Sequence, residues 1–213
     1  MGRACERASG MFNRQPALRT SSASDDRFEP AKNGDSRMGA GHGESSVPVE
    51  FSGGEALKRA FREHPTGVAL ITAQTEDGPV GLTASSVSSV GIDPPTLSFS
   101  VTRATGSAGG ILGADSYLVH LLDERHAAIA LSFAVSGSDR FTPEQGFELL
   151  ETGEPFLSDS RVALRCRTLH SLGVGSSVVV IAEVLGAHFG SSGSPMVYHD
   201  RQFIPLRTID PSL

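Results

Sequence analysis

Five hydroxyl side chains, Thr83, Ser85, Ser86, Ser88 and Ser89, fall within seven positions of the stretch GLTASSVSSVGIDPP, residues 81–95. Short hydroxyls and closely approached backbone N–H groups are what an uncharged strand can offer to a phosphate or a polyhydroxyl chain. On a regular strand Thr83 and Ser85 point to one face and Ser86 and Ser88 to the other. Cross-strand hydroxyl pairing on a solvated face therefore accounts for the same residues without a ligand. A second stretch, TRATGSAGGIL (residues 102–112), places Thr105 and Ser107 at the start of a short helical segment.

Other chemistries find less support. The histidines stand at 42, 64, 120, 126, 170, 188 and 199, with no pair at the i, i+4 spacing of a helical zinc site, and no metal is expected. There is no Gly-x-Ser-x-Gly elbow, and GSAGGILG lacks the Gly-Lys-Ser/Thr ending of a phosphate-cradling loop. Two cysteines, Cys5 and Cys166, build neither a disulfide framework nor a zinc cluster, which reads as a cytoplasmic protein. With 18 basic against 24 acidic residues and a net charge of -6, the chain has no electrostatic footprint for nucleic acid or an anionic membrane. Apolar runs such as Val178–Ala182 are far shorter than the roughly 20 residues that cross a bilayer.

The elements that position the hydroxyls are mostly extended. Residues 67–75, 80–90, 96–103, 117–122, 162–169, 178–187 and 196–206 are β-branched, alternating or continuously apolar, with Gly, Pro, Asp and Ser between them. About seven strands make a mainly β barrel or sandwich, with too few helices for a doubly wound parallel sheet. Ser52 and Glu55 have the form of a capping box opening a short docking helix with Leu57, Ala60 and Phe61 on one face, ended by Pro65. A helix is expected around 107–112, and another in DERHAAIALSFA, capped by Asp123 with Ala127, Ala130, Leu131 and Ala134 on one face. Residues 136–161 read as an irregular insert, the kind of segment that carries binding surfaces.

Residues 1–48 mix Arg, Ser, Gly, Asp and Pro without periodicity and read as a disordered tail before a single domain at 49–213. Its basic start fits an organellar transit peptide, or a dispensable extension ahead of Met38, the reading preferred here.

The segments HPTGVALITA, GLTASSVSSVGIDPPTLSFSV, VHLLDERHAAIALSFA, DRF and PMVYHDRQFIPL follow an order and spacing that resembles the flavin reductase-like, FMN-binding split-barrel family. The resemblance runs from about residue 61 to 206. It implies a homodimeric split β-barrel that binds FMN or FAD and reduces it with NADH or NADPH, supplying a flavin-dependent monooxygenase. A flavin-binding module with little reductase activity is the alternative. Carried over, Thr83, Ala84, Ser85 and Ser86 line the ribityl chain and ring edge, while Thr105 and Ser107 lie near the flavin phosphate. Arg140 is a phosphate partner and Phe141 a wall of the ring pocket. Asp93-Pro94-Pro95 matches a structural turn. Two positions depart from the pattern: His120 replaces a common Asn, and Ser176-Ser177 stand where the family has Asp-His. Ser177 thus occupies the place of a His linked to the nicotinamide side, where Tyr198 and His199 are further contacts.

Overall fold

The computed structural model describes residues 52–102 and 105–206. The expected tail at 1–48, with Cys5, and Arg103 at the end of an expected strand lie outside the described residues.

Helix α1 (Gly53–Glu63) precedes β1 (Thr66–Gly67), β2 (Ala69–Thr75), β3 (Gly78–Ala84), β4 (Ser88–Ile92) and β5 (Pro95–Thr102). Then come α2 (Ser107–Gly113), β6 (Tyr117–Leu121), a 3₁₀ turn (Glu124–His126) and α3 (Ala127–Ala134). After β7 (Phe147–Leu149) and β8 (Pro155–Leu157), the chain ends its described part with β9 (Val162–Val174), β10 (Ser177–Phe189), β11 (Met196–His199) and β12 (Gln202–Pro205). One antiparallel sheet holds seven strands in the order β3-β2-β6-β9-β10-β5-β4. A smaller sheet is β1-β11-β12, and β7 pairs with β8, so the insert expected to be irregular contains a two-stranded ladder.

The hydroxyl stretch does not form one strand. It breaks after Ala84, and the chain passes through Ser85-Ser86-Val87 from one end of the seven-stranded sheet to the other, where β4 pairs with β5. The Ser86 hydroxyl donates to Ser100 O (3.2 Å) and accepts from Ser100 N–H (2.9 Å), replacing a ladder rung at the crossing. The sheet therefore curls until its ends meet, around a core of Ile71, Phe99, Val101, Tyr117, Val119 and Val180, with Ile111 of α2 inserted. The Asp93–Pro94 peptide is cis in the turn between β4 and β5.

Continuous apolar character in β2 follows from burial on both faces. Ala69, Ile71 and Ala73 enter the barrel core, whereas Leu70 joins a second core with Val68, Leu122, Ala130, Phe133, Leu157 and Met196. That second core is where α3 docks. Its buried residues are Ala130 and Phe133, while Leu131, expected on the inner face, is 56% exposed. The buried edge instead runs through His126, Ala130 and Phe133, spaced i, i+4 and i+7, and Ala134 is exposed with Leu131. Asp123 caps the 3₁₀ turn as expected, its carboxylate accepting from Arg125 N (3.0 Å) and from the Arg125 guanidinium (2.6 Å). Burial opposes the charge on Asp123, but the Arg125 hydrogen bonds outweigh it and hold the carboxyl below its ordinary value.

Helix α1 starts at Ser52 as expected. There Ser52 Oγ donates to the Glu55 carboxylate (2.9 Å) and makes no cap bond to the backbone. Its Leu57 and Phe61 remain 59% and 64% exposed, so no face of α1 is covered by the described residues. Arg62 ties it to the β11–β12 turn through Asp200 (2.5 Å).

His120 is fully buried between the cores. Its Nδ1 lies 3.1 Å from Leu70 O, and its Nε2 accepts from Leu157 N–H (3.1 Å). These partners require a neutral ring with the proton on Nδ1, and burial lowers its pKa from 6.5 to about 4. An amide side chain also offers one donor and one acceptor, which is why this position can accept Asn. Because the folded pKa lies below the unfolded one, protons favour the unfolded chain between pH 6.5 and 4. The His120 contribution, about 3 kcal/mol, is complete above pH 6.5 and is lost as pH falls towards 4. Urea titrations across this range are expected to show that decline. His120→Leu, which leaves Leu70 O and Leu157 N–H unpaired, is expected to remove the pH slope and lower stability at pH 8 by about 2–4 kcal/mol, with a smaller loss for His120→Asn.

Candidate functional site

The crossing segment forms one wall of a cavity of about 660 Å³. Thr83, Ala84, Ser85 and Ser86 line it from β3 and the crossing, Ser100 and Thr102 from β5, and Thr105, Gly106 and Ser107 from the approach to α2. Phe133, Ala134 and Ser136 close it from α3 and its end, with Arg140 beyond. Among the described residues eight hydroxyl side chains thus border the space, and Arg140 is the one charged residue. The volume falls within the roughly 300–1,000 Å³ of small-molecule sites.

Not every hydroxyl faces the cavity unengaged. Thr83 Oγ1 donates to Ala130 O (2.6 Å), fastening β3 to α3, and Ser86 is held by Ser100. Ser85, Ser100, Thr102, Thr105 and Ser136 have side-chain hydroxyls without a hydrogen-bond partner among the described residues. All five residues are exposed on the cavity side. Of these, Ser100, Thr102 and Ser136 were not anticipated. The alternation in TLSFSVT carried the signal for two of them: Leu97, Phe99 and Val101 enter the core, so Ser100 and Thr102 face the other way.

Arg140 organises the floor. Nη1 donates to Gly81 O (3.2 Å) and Ser107 Oγ (3.0 Å), Nη2 to Val135 O (2.9 Å), and Nε to Ser132 O (3.3 Å). The guanidinium also lies 5.5 Å from the centre of the Phe133 ring. It joins β3, α2 and α3 through dipoles alone, for among the described residues no carboxylate is paired with it. Its full charge is therefore available to an anion in the cavity.

Phe141 packs behind this floor, at 5.0 Å from Phe133 and 4.9 Å from Phe147, and does not border the cavity. Ser177 pairs with Thr102 and so lies beside the rim. Tyr198 pairs with Thr66 and packs on Phe203, and His199 lines a groove beside α1; neither borders the cavity within one chain.

The chain belongs to the flavin reductase like domain family, whose model matches residues 61–207. It is 35% identical over 150 residues to an NADH:FMN oxidoreductase of Rhodococcus erythropolis, covering 68% of this chain and 78% of that one. It is 30% identical over 145 residues to the reductase component of a 4-nitrophenol 4-monooxygenase/4-nitrocatechol 2-monooxygenase of Rhodococcus opacus, covering 67% and 77%. The crystal structure of a flavin reductase domain protein from Arthrobacter superposes with a TM-score of 0.70 at 29% identity, covering 75% of this chain and 99% of that one.

Gly81 shows how tightly the wall is built. A Cβ there would stand 2.7 Å from Phe133 Cε1, so the ring packs directly on the β3 backbone. Gly81→Ala is expected to lower the unfolding free energy by about 1–3 kcal/mol in urea. Gly186→Ala, whose Cβ meets nothing within 4 Å, is expected to change it by no more than about 0.5 kcal/mol.

Proposed function

We propose that this protein is an NAD(P)H:flavin oxidoreductase that binds FMN or FAD in the hydroxyl-lined cavity and supplies reduced flavin to a monooxygenase. The observation that carries the reading is the pairing of one uncompensated guanidinium with a wall of free hydroxyls, in a chain of this family. That set suits a flavin: Arg140, Ser107 and Thr105 would hold the phosphate, while Ser85, Ser100 and Thr102 would reach the ribityl hydroxyls and the polar ring edge. The flavin supplies the ring that accepts hydride from the nicotinamide. The chain's own part is to bind, orient and partly shield; among the described residues Arg140 is the one charged side chain on the lining. No side chain there is placed to move a proton. The domain is taken as 49–213, in a cytoplasmic protein.

We also infer a homodimer of split barrels. Leu172 and Val174 on β9 are 65% and 58% exposed and pair with Val179 and Ser177 of β10, an apolar strand end suited to a second copy. Covering them would bring the partner near the Thr102–Ser177 rim. Sedimentation of the purified chain is expected to give twice the monomer mass.

Ser177 in place of the family His favours one alternative, a flavin-binding module with slow turnover. Initial rates of NADH and NADPH oxidation, with and without FMN or FAD, separate the two. Fast flavin-dependent oxidation is expected; bound flavin with negligible turnover would make this a carrier. Arg140→Met is expected to weaken FMN by about 10–100-fold while changing riboflavin affinity far less, because a charged hydrogen bond to phosphate contributes about 1.5–3 kcal/mol. Equal weakening of both ligands would remove Arg140 from the phosphate site.

A further inference from the structure

The loop that delivers Arg140 to the cavity bends where a bulky side chain resists bending. Phe141, next in the chain, has φ +58, a left-handed backbone that a residue with a large ring adopts only where its surroundings hold it there. Beyond it, Thr142 opens a 3₁₀ turn (Pro143–Gln145) that ends at Gly146, whose carbonyl accepts from Ser158 Oγ (3.1 Å) just after β8. The turn is thus fastened to the sheet side of the insert.

Gln145 supplies the hold on the other side. Its backbone N–H donates to Thr142 O (3.0 Å) and its Oε1 accepts from Thr142 N–H (3.1 Å), which closes the turn. The amide nitrogen makes bonds that the turn itself does not need. Nε2 donates to Asp139 O (3.4 Å) and to Ser132 Oγ (3.2 Å) on α3. One amide therefore grips the backbone on both sides of Arg140-Phe141. It also ties that backbone to Ser132, the residue whose carbonyl receives Arg140 Nε (3.3 Å). Packing of Phe141 on Phe133 and Phe147 is apolar and non-directional, so these bonds are what give the loop its direction. Gln145 itself does not border the cavity.

We propose that Gln145 is a positioning residue for phosphate recognition. By fixing the 139–142 backbone against α3 it aims the Arg140 guanidinium into the cavity, and so sets the preference for a phosphorylated flavin over an unphosphorylated one. This inference rests on the flavin reading above.

FMN and riboflavin differ by the phosphate alone, and both can be titrated against the full chain by flavin fluorescence. Gln145→Met keeps the side-chain length and removes its three hydrogen bonds. It is expected to weaken FMN by about three- to tenfold, the scale of a neutral hydrogen bond, and to leave riboflavin affinity unchanged. Ser132→Ala removes one partner of Nε2 and keeps the carbonyl that Arg140 uses; a smaller loss in the same direction is expected, which guards against a misfolded Gln145→Met. In an Arg140→Met background, Gln145→Met is expected to change FMN affinity no further, because residues acting through one contact are not additive. Equal weakening of FMN and riboflavin, or an undiminished effect in the Arg140→Met background, would overturn the proposal. A native chain that binds no FMN, or FMN no better than riboflavin, would overturn the phosphate reading of the cavity and this inference with it. A native preference for FMN that both single variants keep would overturn this inference alone.

Discussion

Everything in the site hangs on a chain that must leave one end of a seven-stranded sheet and join the other within three residues. The covalent path through Ser85-Ser86-Val87 cannot satisfy a ladder on both sides, and backbone groups left unpaired there would be costly. Ser86 resolves this by bonding both the N–H and the C=O of Ser100 with one hydroxyl. The segment is then neither strand nor loose loop. It is a fixed, partly unladdered backbone with Ser85 free beside it, the kind of surface on which a ligand can complete the missing hydrogen bonds. The same passage divides the space into a polar cavity on the Ser85 side and an apolar cleft at Val87.

Arg140 fixes the opposite wall by a different principle. Four of its N–H groups reach three carbonyls and one hydroxyl on β3, α2 and the end of α3, so its orientation is set by the fold before any anion arrives. Carbonyl dipoles hold the guanidinium without cancelling its charge. A carboxylate in that place would have done so. The two most buried carboxylates are spent elsewhere: Asp123 on Arg125, and Glu154 on Ser116, Thr152 and Arg165. Burial works against the charge on Glu154, yet those donors bring it down to about 2.

The sequence showed the class of fold and most of the polar wall, because period-two alternation and turn residues are local signals. It placed Thr83, Ala84, Ser85, Ser86, Thr105, Ser107 and Arg140 together through a family resemblance, and the structure gathers those seven on one cavity. What it missed depends on long-range geometry. A strand break at Ala84 is invisible when hydroxyls continue on both sides of it, since the signal for the break is a partner on β5 rather than any local residue. The face of α3 was misjudged because its spacing allows two apolar stripes, and the one that contains the large Phe133 ring is the one buried. Phe141 read as a wall because its neighbour Arg140 is one; its backbone, at φ +58, turns the ring away to pack on Phe147.

Net charge and local charge make opposite demands on such a site. The chain carries -6 overall, which repels an approaching anion at long range, but salt screens this beyond about 8 Å. Inside that distance a dianion meets one oriented cation and a set of neutral donors. Recognition is then short-ranged and made of hydrogen bonds that water can replace as the ligand leaves. A cavity lined by several lysines or arginines would gain affinity and steering at the expense of release. One guanidinium among hydroxyls, open to solvent along Ser85, Ser100 and Thr105, is a balance suited to an anionic ligand that is released as readily as it is bound.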